Sequence, residues 1–258
     1  MELVYKDPSL TAEILIASNR FKKKDSENSD SSVIEESKAG VSLLGEIRLV
    51  AIGGNLLTVE ERRMLAAPFS SWPKFRMFQL GTARMAEYTC KYLEIPALER
   101  VAYAAGLMHD LGKLVLLRLY PYAFQAIQDY AVEYNMKLHA AERVYLGMTT
   151  GEIGAYFAQK RGLPQRFINV MRWMDDPFEA KEDAELVAIV SLARDLCRQN
   201  NVGFCGDTSK DVVPIGKSEE WRILKNKVYL NFDLEKFERQ ANQECRIIKQ
   251  ELQGQLIK

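Results

Sequence analysis

Two histidines are all the imidazole this chain offers, and one of them, His109, is followed directly by Asp110. The pair sits in Met108-His109-Asp110-Leu111-Gly112-Lys113, where one apolar segment ends and the next begins. At such a junction an imidazole nitrogen and a carboxylate oxygen can face one metal ion, and Lys113 can approach a phosphate as a point charge. The plainer reading is that Asp110 caps the following helix and His109 is a satisfied, partly buried polar residue. Two imidazoles cannot build a histidine-rich dinuclear hydrolase centre without unusual reliance on carboxylates. His139 lies outside the motif, shares a helix face with Arg143, and reads as a surface or capping residue. No Gly-rich phosphate loop, GxSxG elbow or zinc-finger spacing is present.

The elements that must position His109 and Asp110 are helices. Apolar residues recur at helical intervals almost throughout the 258 residues, with no alternating strand pattern, so the class is all-α. Asp7-Pro8 reads as an N-cap with proline at the first helical position, and Gly147 and Gly162 read as C-terminal stops. Helices are expected from Pro73 to before Pro96, over 97–109, 112–119, 122–134 and 138–146, then from Thr149 or Thr150 to Gly162. Another starts at Pro164, a long one covers 183–200, and two more start at the caps Ser218 and Asp233. Residues 22–32 lack any apolar side chain and read as a mobile loop, with limits of 21–33 at the widest. A helix is expected from Val33 to Leu57 and a short one from Thr58. The break over 68–73 divides a small N-terminal helical layer, 1–67, from a helical core, 68–258. Trp72, Phe75, Met77 and Phe78 read as packing residues.

Composition narrows the function classes. Lys plus Arg and Asp plus Glu number 35 each, so no global field gathers nucleic acid or an anionic membrane. No apolar run approaches the length of a membrane span, and the first residues lack the features of a signal peptide. Cys90, Cys197, Cys205 and Cys245 form no CxxC pair and read as reduced, buried thiols, which fits a cytoplasmic protein.

Several segments carry a family resemblance. They are KDPSLTAEILIASN at 6–19, AGLMHDLGKLVLLRLYPYAF at 105–124, AERVYLGMTTGEIGAYFAQKRGLPQRFINVMRWMDDP at 141–177, and VAIVSLARDLC followed by GFCGD. Together they resemble the HDOD family, the HD-related output domains of bacterial signalling proteins. The resemblance implies a compact helical bundle related to HD phosphohydrolases, with a regulatory role and no established catalysis. It also implies where metal ligands would stand. The first histidine position of HD hydrolases falls on Phe78, and the histidine before the Gly-rich helix falls on Thr150. The histidines before the Asp-Pro dipeptide fall on Trp173 and Met174, and the late aspartate falls on Arg194, with Asp195 one position off. His109, Asp110 and Lys113 are then a vestigial motif, and Arg194 is expected to pair with Asp110.

The expectation is a non-catalytic signalling module with a protein partner, possible self-association, no cofactor, no metal, no nucleic acid and no membrane. The alternatives are a metal-dependent phosphohydrolase acting on cyclic dinucleotides, or a nucleotide receptor using the degenerate pocket. The first helix carries Leu10, Ile14, Leu15 and Ile16, too many for one narrow stripe. Upstream helices of the resembling family are missing here, so residues 1–67 are expected to present an apolar contact surface.

Overall fold

A computed structural model describes residues 6–25, 33–36, 38–40, 42, 72–207, 213–228 and 232–256. Eleven α-helices are followed below: α1 (Pro8–Asp25), α2 (Trp72–Tyr92), α3 (Glu99–Met108), α4 (Leu111–Leu119), α5 (Pro121–Glu133) and α6 (Leu138–Leu146), then α7 (Thr150–Arg161), α8 (Gln165–Trp173), α9 (Ala184–Gln199), α10 (Glu219–Leu224) and α11 (Leu234–Leu256). No strand occurs among the described residues, so the all-α class holds.

Local chemistry explains most of the boundaries. The Asp7 carboxylate accepts from the Leu10 N–H at 3.0 Å and opens α1. Thr149 and Glu152 form a reciprocal capping box at the start of α7. Gly147 and Gly162, at φ +70° and +80°, close α6 and α7 in the left-handed conformation that glycine adopts without strain. Ser218 and Asp233 accept from the N–H groups of Trp221 and Lys236 and open the last two helices.

Helix α2 is the spine of the main core and packs against α3, α9 and α11. Helix α7 lies between α4 and α8. A second, smaller core holds the α5–α6 hairpin, with Phe75, Leu117, Phe124 and Ile127 fully buried in it. Each buried phenylalanine is worth about 3–5 kcal/mol against truncation to alanine.

Four expectations change at the N-terminal end. Helix α1 continues to Asp25, so residues 22–25 are helical and not part of a loop. The lysines there are good helix formers, and their charge suits a helix C-terminus. Residues 26–32 lie outside the described set, as do Thr58 and most of the expected 33–57 helix, while 33–36 are non-helical. Trp72 and Pro73 are the first two residues of α2, so the expected break does not extend to Pro73. Finally, α1 does not present an apolar face. Ile14, Leu15 and Ile16 are buried and Leu10 is half-buried. Helix α3 packs against α1, and Asn19 fastens residue 34 over it, donating to the Ile34 carbonyl at 2.8 Å and accepting from the Ile34 N–H at 2.9 Å. Arg161 meets Glu13 at 2.5 Å at its edge.

Candidate functional site

His109 ends α3 and Asp110 stands at the N-cap position of α4. Both are buried. The turn between them is held against α7 by Gly112, where a Cβ would lie 1.7 Å from the Thr150 carbonyl oxygen. That approach puts α4 and the N-terminus of α7 in backbone contact, and so brings Lys113 and Thr150 to one place.

His109 Nδ1 lies 2.6 Å from the Gly106 carbonyl oxygen. A carbonyl only accepts, so Nδ1 carries a proton and Nε2 faces Asp110. Nε2 lies 3.3 Å from Asp110 Oδ2, and Lys113 Nζ lies 2.8 Å from Asp110 Oδ1. Asp110 therefore answers the Lys113 charge by ionic contact, its two oxygens and His109 Nε2 complete no hydrogen bond among the described residues, and it makes no side-chain cap bond to α4, which corrects the capping reading. Burial alone would raise the Asp110 carboxyl, but His109 and Lys113 outweigh it and hold the group well below the usual range. Burial would lower the Lys113 ammonium, and Asp110 reverses this and raises it.

Phe78 lies beside His109, Thr150 lies against Gly112, and Met174 and Arg194 line the adjoining pocket with Lys113. Phe78 is buried with its ring 5.8 Å from the His109 ring. Thr150, the first residue of α7, donates from its N–H to Glu142 Oε2 at 2.7 Å and from its hydroxyl to Glu142 Oε1 at 2.8 Å. Met174 is buried at the end of α8, and Trp173 is half-buried against the main core. Arg194 does not pair with Asp110. Its Nη1 donates to Asp175 Oδ1 at 2.6 Å and its Nη2 to the Met174 carbonyl at 3.3 Å. Lys113 already occupies Asp110 Oδ1, and Asp175 emerges from the end of α8 against α9. Asp195 is turned away and meets Arg198 at 3.5 Å.

A small cavity of about 20 Å³ opens beside these groups, lined by Lys113, His139, Glu142, Thr150, Asp175 and Arg194 among others. About 10–15 Å³ suffices for one water, so this interior has room for a water among its polar groups. His139 belongs to the site after all: its Nδ1 lies 3.7 Å from Asp175 Oδ1, while Arg143 points away to Glu152 at 3.3 Å. Burial lowers the His139 imidazole, with Asp175 opposing. Burial raises the Glu142 carboxyl to about 7, against the opposing effects of Lys113 and the Thr150 hydrogen bonds. Glu142 and Asp175 were not singled out from the sequence. The signal for Glu142 was available, because it is a carboxylate in phase with the buried Leu138 and Ala141 of α6.

The donor set does not fit a metal centre. Asp110 is already engaged by an ammonium at 2.8 Å, and the surrounding positions are a phenyl ring, a threonine, a thioether and a guanidinium. Among the described residues no group of three or more His, Cys, Asp or Glu side chains could hold a metal ion. All four cysteines are free and buried. No helix among the described residues is long and apolar enough to cross a membrane.

Comparison with known proteins agrees with this architecture. A Geobacter sulfurreducens HDOD domain protein of unknown function superposes with a TM-score of 0.64 at 19% identity, covering 98% of this chain and 84% of that one. The MmoQ response regulator from Methylococcus capsulatus str. Bath superposes with a TM-score of 0.66 at 17% identity, covering 93% and 87%. At these identities the likeness is one of fold. An uncharacterized protein from Treponema pallidum (strain Nichols) is 31% identical over 98 residues, a match spanning 38% of this chain and only 19% of that protein. The sequence profile of the HDOD domain matches residues 1–177. The chain belongs to the HDOD family.

Proposed function

We propose that this chain is a non-catalytic signal-transduction module of the cytoplasm that works through protein contacts. The observation that carries the reading is the Lys113 ammonium held 2.8 Å from the buried Asp110 carboxylate. An ammonium there supplies the charge compensation that a divalent ion would otherwise give, and it cannot lower the pKa of a bound water to generate hydroxide as a metal does. Phe78, Thr150, Met174 and Arg194 offer no further imidazole or carboxylate. The name of one similar structure, a response regulator, points the same way. In this reading residues 1–67 form a layer on a 68–258 core, and His109 and Asp110 join α3 to α4.

The competing reading is a metal-dependent phosphohydrolase, and a similar Shewanella amazonensis SB2B protein is provisionally assigned as a phosphohydrolase. Metal analysis after dialysis against Mn2+, together with hydrolysis of a nitrophenyl phosphodiester and of cyclic dinucleotides, separates the two. The expected result is no stoichiometric metal and no turnover. One equivalent of retained metal, with turnover abolished by His109→Ala, overturns the proposal.

A further inference from the structure

Helix α6 is attached to the molecule chiefly through charge-bearing side chains. Among the described helices it packs closely against one, α5. Its Leu138 and Ala141 belong to the small core, which is separate from the main one. Its links to α7 and to the end of α8 are polar. Glu142 takes two hydrogen bonds from Thr150 at the start of α7. His139 lies 3.7 Å from Asp175, just past α8, and Arg143 lies 3.3 Å from Glu152 of α7. Glu142 and His139 both end at the small cavity beside Lys113. Opening the α5–α6 hairpin therefore gives up the small core and these polar links, and leaves the main core intact.

The charges around Glu142 leave no room for one more carboxylate. Each lysine or arginine lining the cavity already faces an acid. Lys113 of α4 lies 2.8 Å from Asp110, Arg194 of α9 lies 2.6 Å from Asp175, and Arg198 of α9 lies 3.3 Å from Asp207 in the loop beyond α9. Asp195 adds a further carboxylate, 3.5 Å from Arg198. The Cys205 thiol of that loop is pushed up by burial and stays neutral. An ionised Glu142, buried there, has no cation of its own. Its bonds to Thr150 do not require the charge. Oε2 accepts from the Thr150 N–H, and a protonated Oε1 donates to the Thr150 hydroxyl oxygen across the same 2.8 Å. His139, one turn away on the same face of α6, is the group able to balance an ionised Glu142. Burial lowers that imidazole, so both groups take up their charges only when water reaches them.

We propose that Glu142 is a proton-dependent latch: protonated, it fastens the α5–α6 hairpin to α7, and loss of that proton loosens the hairpin while the main core stays folded. His139 opposes it, because it takes up a proton when α6 opens. The latch goes beyond the protein-contact reading and does not rest on it. It converts a change in proton occupancy at the site into a change in how tightly the hairpin is held.

Amide hydrogen exchange on the intact chain between roughly pH 5.5 and 7.5, corrected for intrinsic exchange rates, tests it. Amides of α5 and α6 should exchange through a local opening, with lower protection than those of α2 and α9 at every pH. The opening constant of α6 in the parent, divided by that in Glu142→Gln, should rise ~20-fold over this range. That is the linkage for a carboxyl at about 7 when latched and 4.5 when open. Taking the ratio cancels the opposing titration of His139. His139→Gln, with Glu142 intact, should make the rise steeper than in the parent, and this variant decides the matter if Glu142→Gln does not fold. Protection in α6 equal to that in α2 and α9, a ratio that is flat with pH, or a His139→Gln profile no steeper than the parent's would each overturn the proposal.

Discussion

Replacing Glu142 by glutamine isolates the electrostatic cost of the site. The Glu142 side chain is buried and accepts from the Thr150 N–H and hydroxyl, and Lys113 acts on it at a distance. Its carboxyl is raised from 4.5 to about 7. At 1.36 kcal/mol per pH unit, ionised Glu142 carries a penalty of about 3 kcal/mol in the folded state. Between pH 4.5 and 7 the folded chain holds this proton and the unfolded chain does not. Stability from this group therefore falls as pH rises through that window, and is constant above and below it. His139 works in the opposite sense, since its lowered imidazole makes the unfolded chain the better proton acceptor up to its ordinary value near 6.5. The difference between parent and Glu142→Gln removes that contribution. Glutamine keeps one carbonyl oxygen for the Thr150 N–H and can donate to the Thr150 hydroxyl, which also accepts. The variant should match the parent near pH 5 and exceed it by about 3 kcal/mol at pH 8, roughly 6–12 °C in Tm for a chain of this size. Urea denaturation at half-unit pH steps measures it. A difference that stays flat from pH 5 to 8, or that favours the parent at pH 8, refutes the reasoning.

Asp110→Ala should cost about 3–5 kcal/mol, because it leaves the buried Lys113 ammonium without its partner. Adding Lys113→Met should recover most of that loss, and a double variant as unstable as the sum of the two singles would contradict the pairing. Since the Asp110 carboxyl is held below 3.8, its contribution is present above that pH and disappears as pH falls through its folded value, which acid titration of parent against Asp110→Asn reads. Gly112→Ala must force α4 from the Thr150 carbonyl, so a loss of about 3 kcal/mol or more is expected by chemical denaturation.

Most helices from Trp72 onward are legible in the residues alone, because their signals are local. The caps at Asp7, Thr149, Ser218 and Asp233 and the stops at Gly147 and Gly162 act within a turn of where they stand, and each is realised. The His109-Asp110 junction was legible for the same reason. Pairing across helices was not. Arg194 could be drawn towards Asp110 from an alignment of positions, yet it takes Asp175, because the close approach at Gly112 commits Lys113 to Asp110 first. His139 looked peripheral because nothing in its own turn shows that α8 and α9 bring Asp175 and Arg194 beside it. The burial of Ile14, Leu15 and Ile16 likewise depends on α3, more than eighty residues away along the chain. Helix ends are set by neighbours a few residues apart. Which charge answers which, and which apolar face is covered, is set by packing between distant segments, and only the tertiary structure decides it.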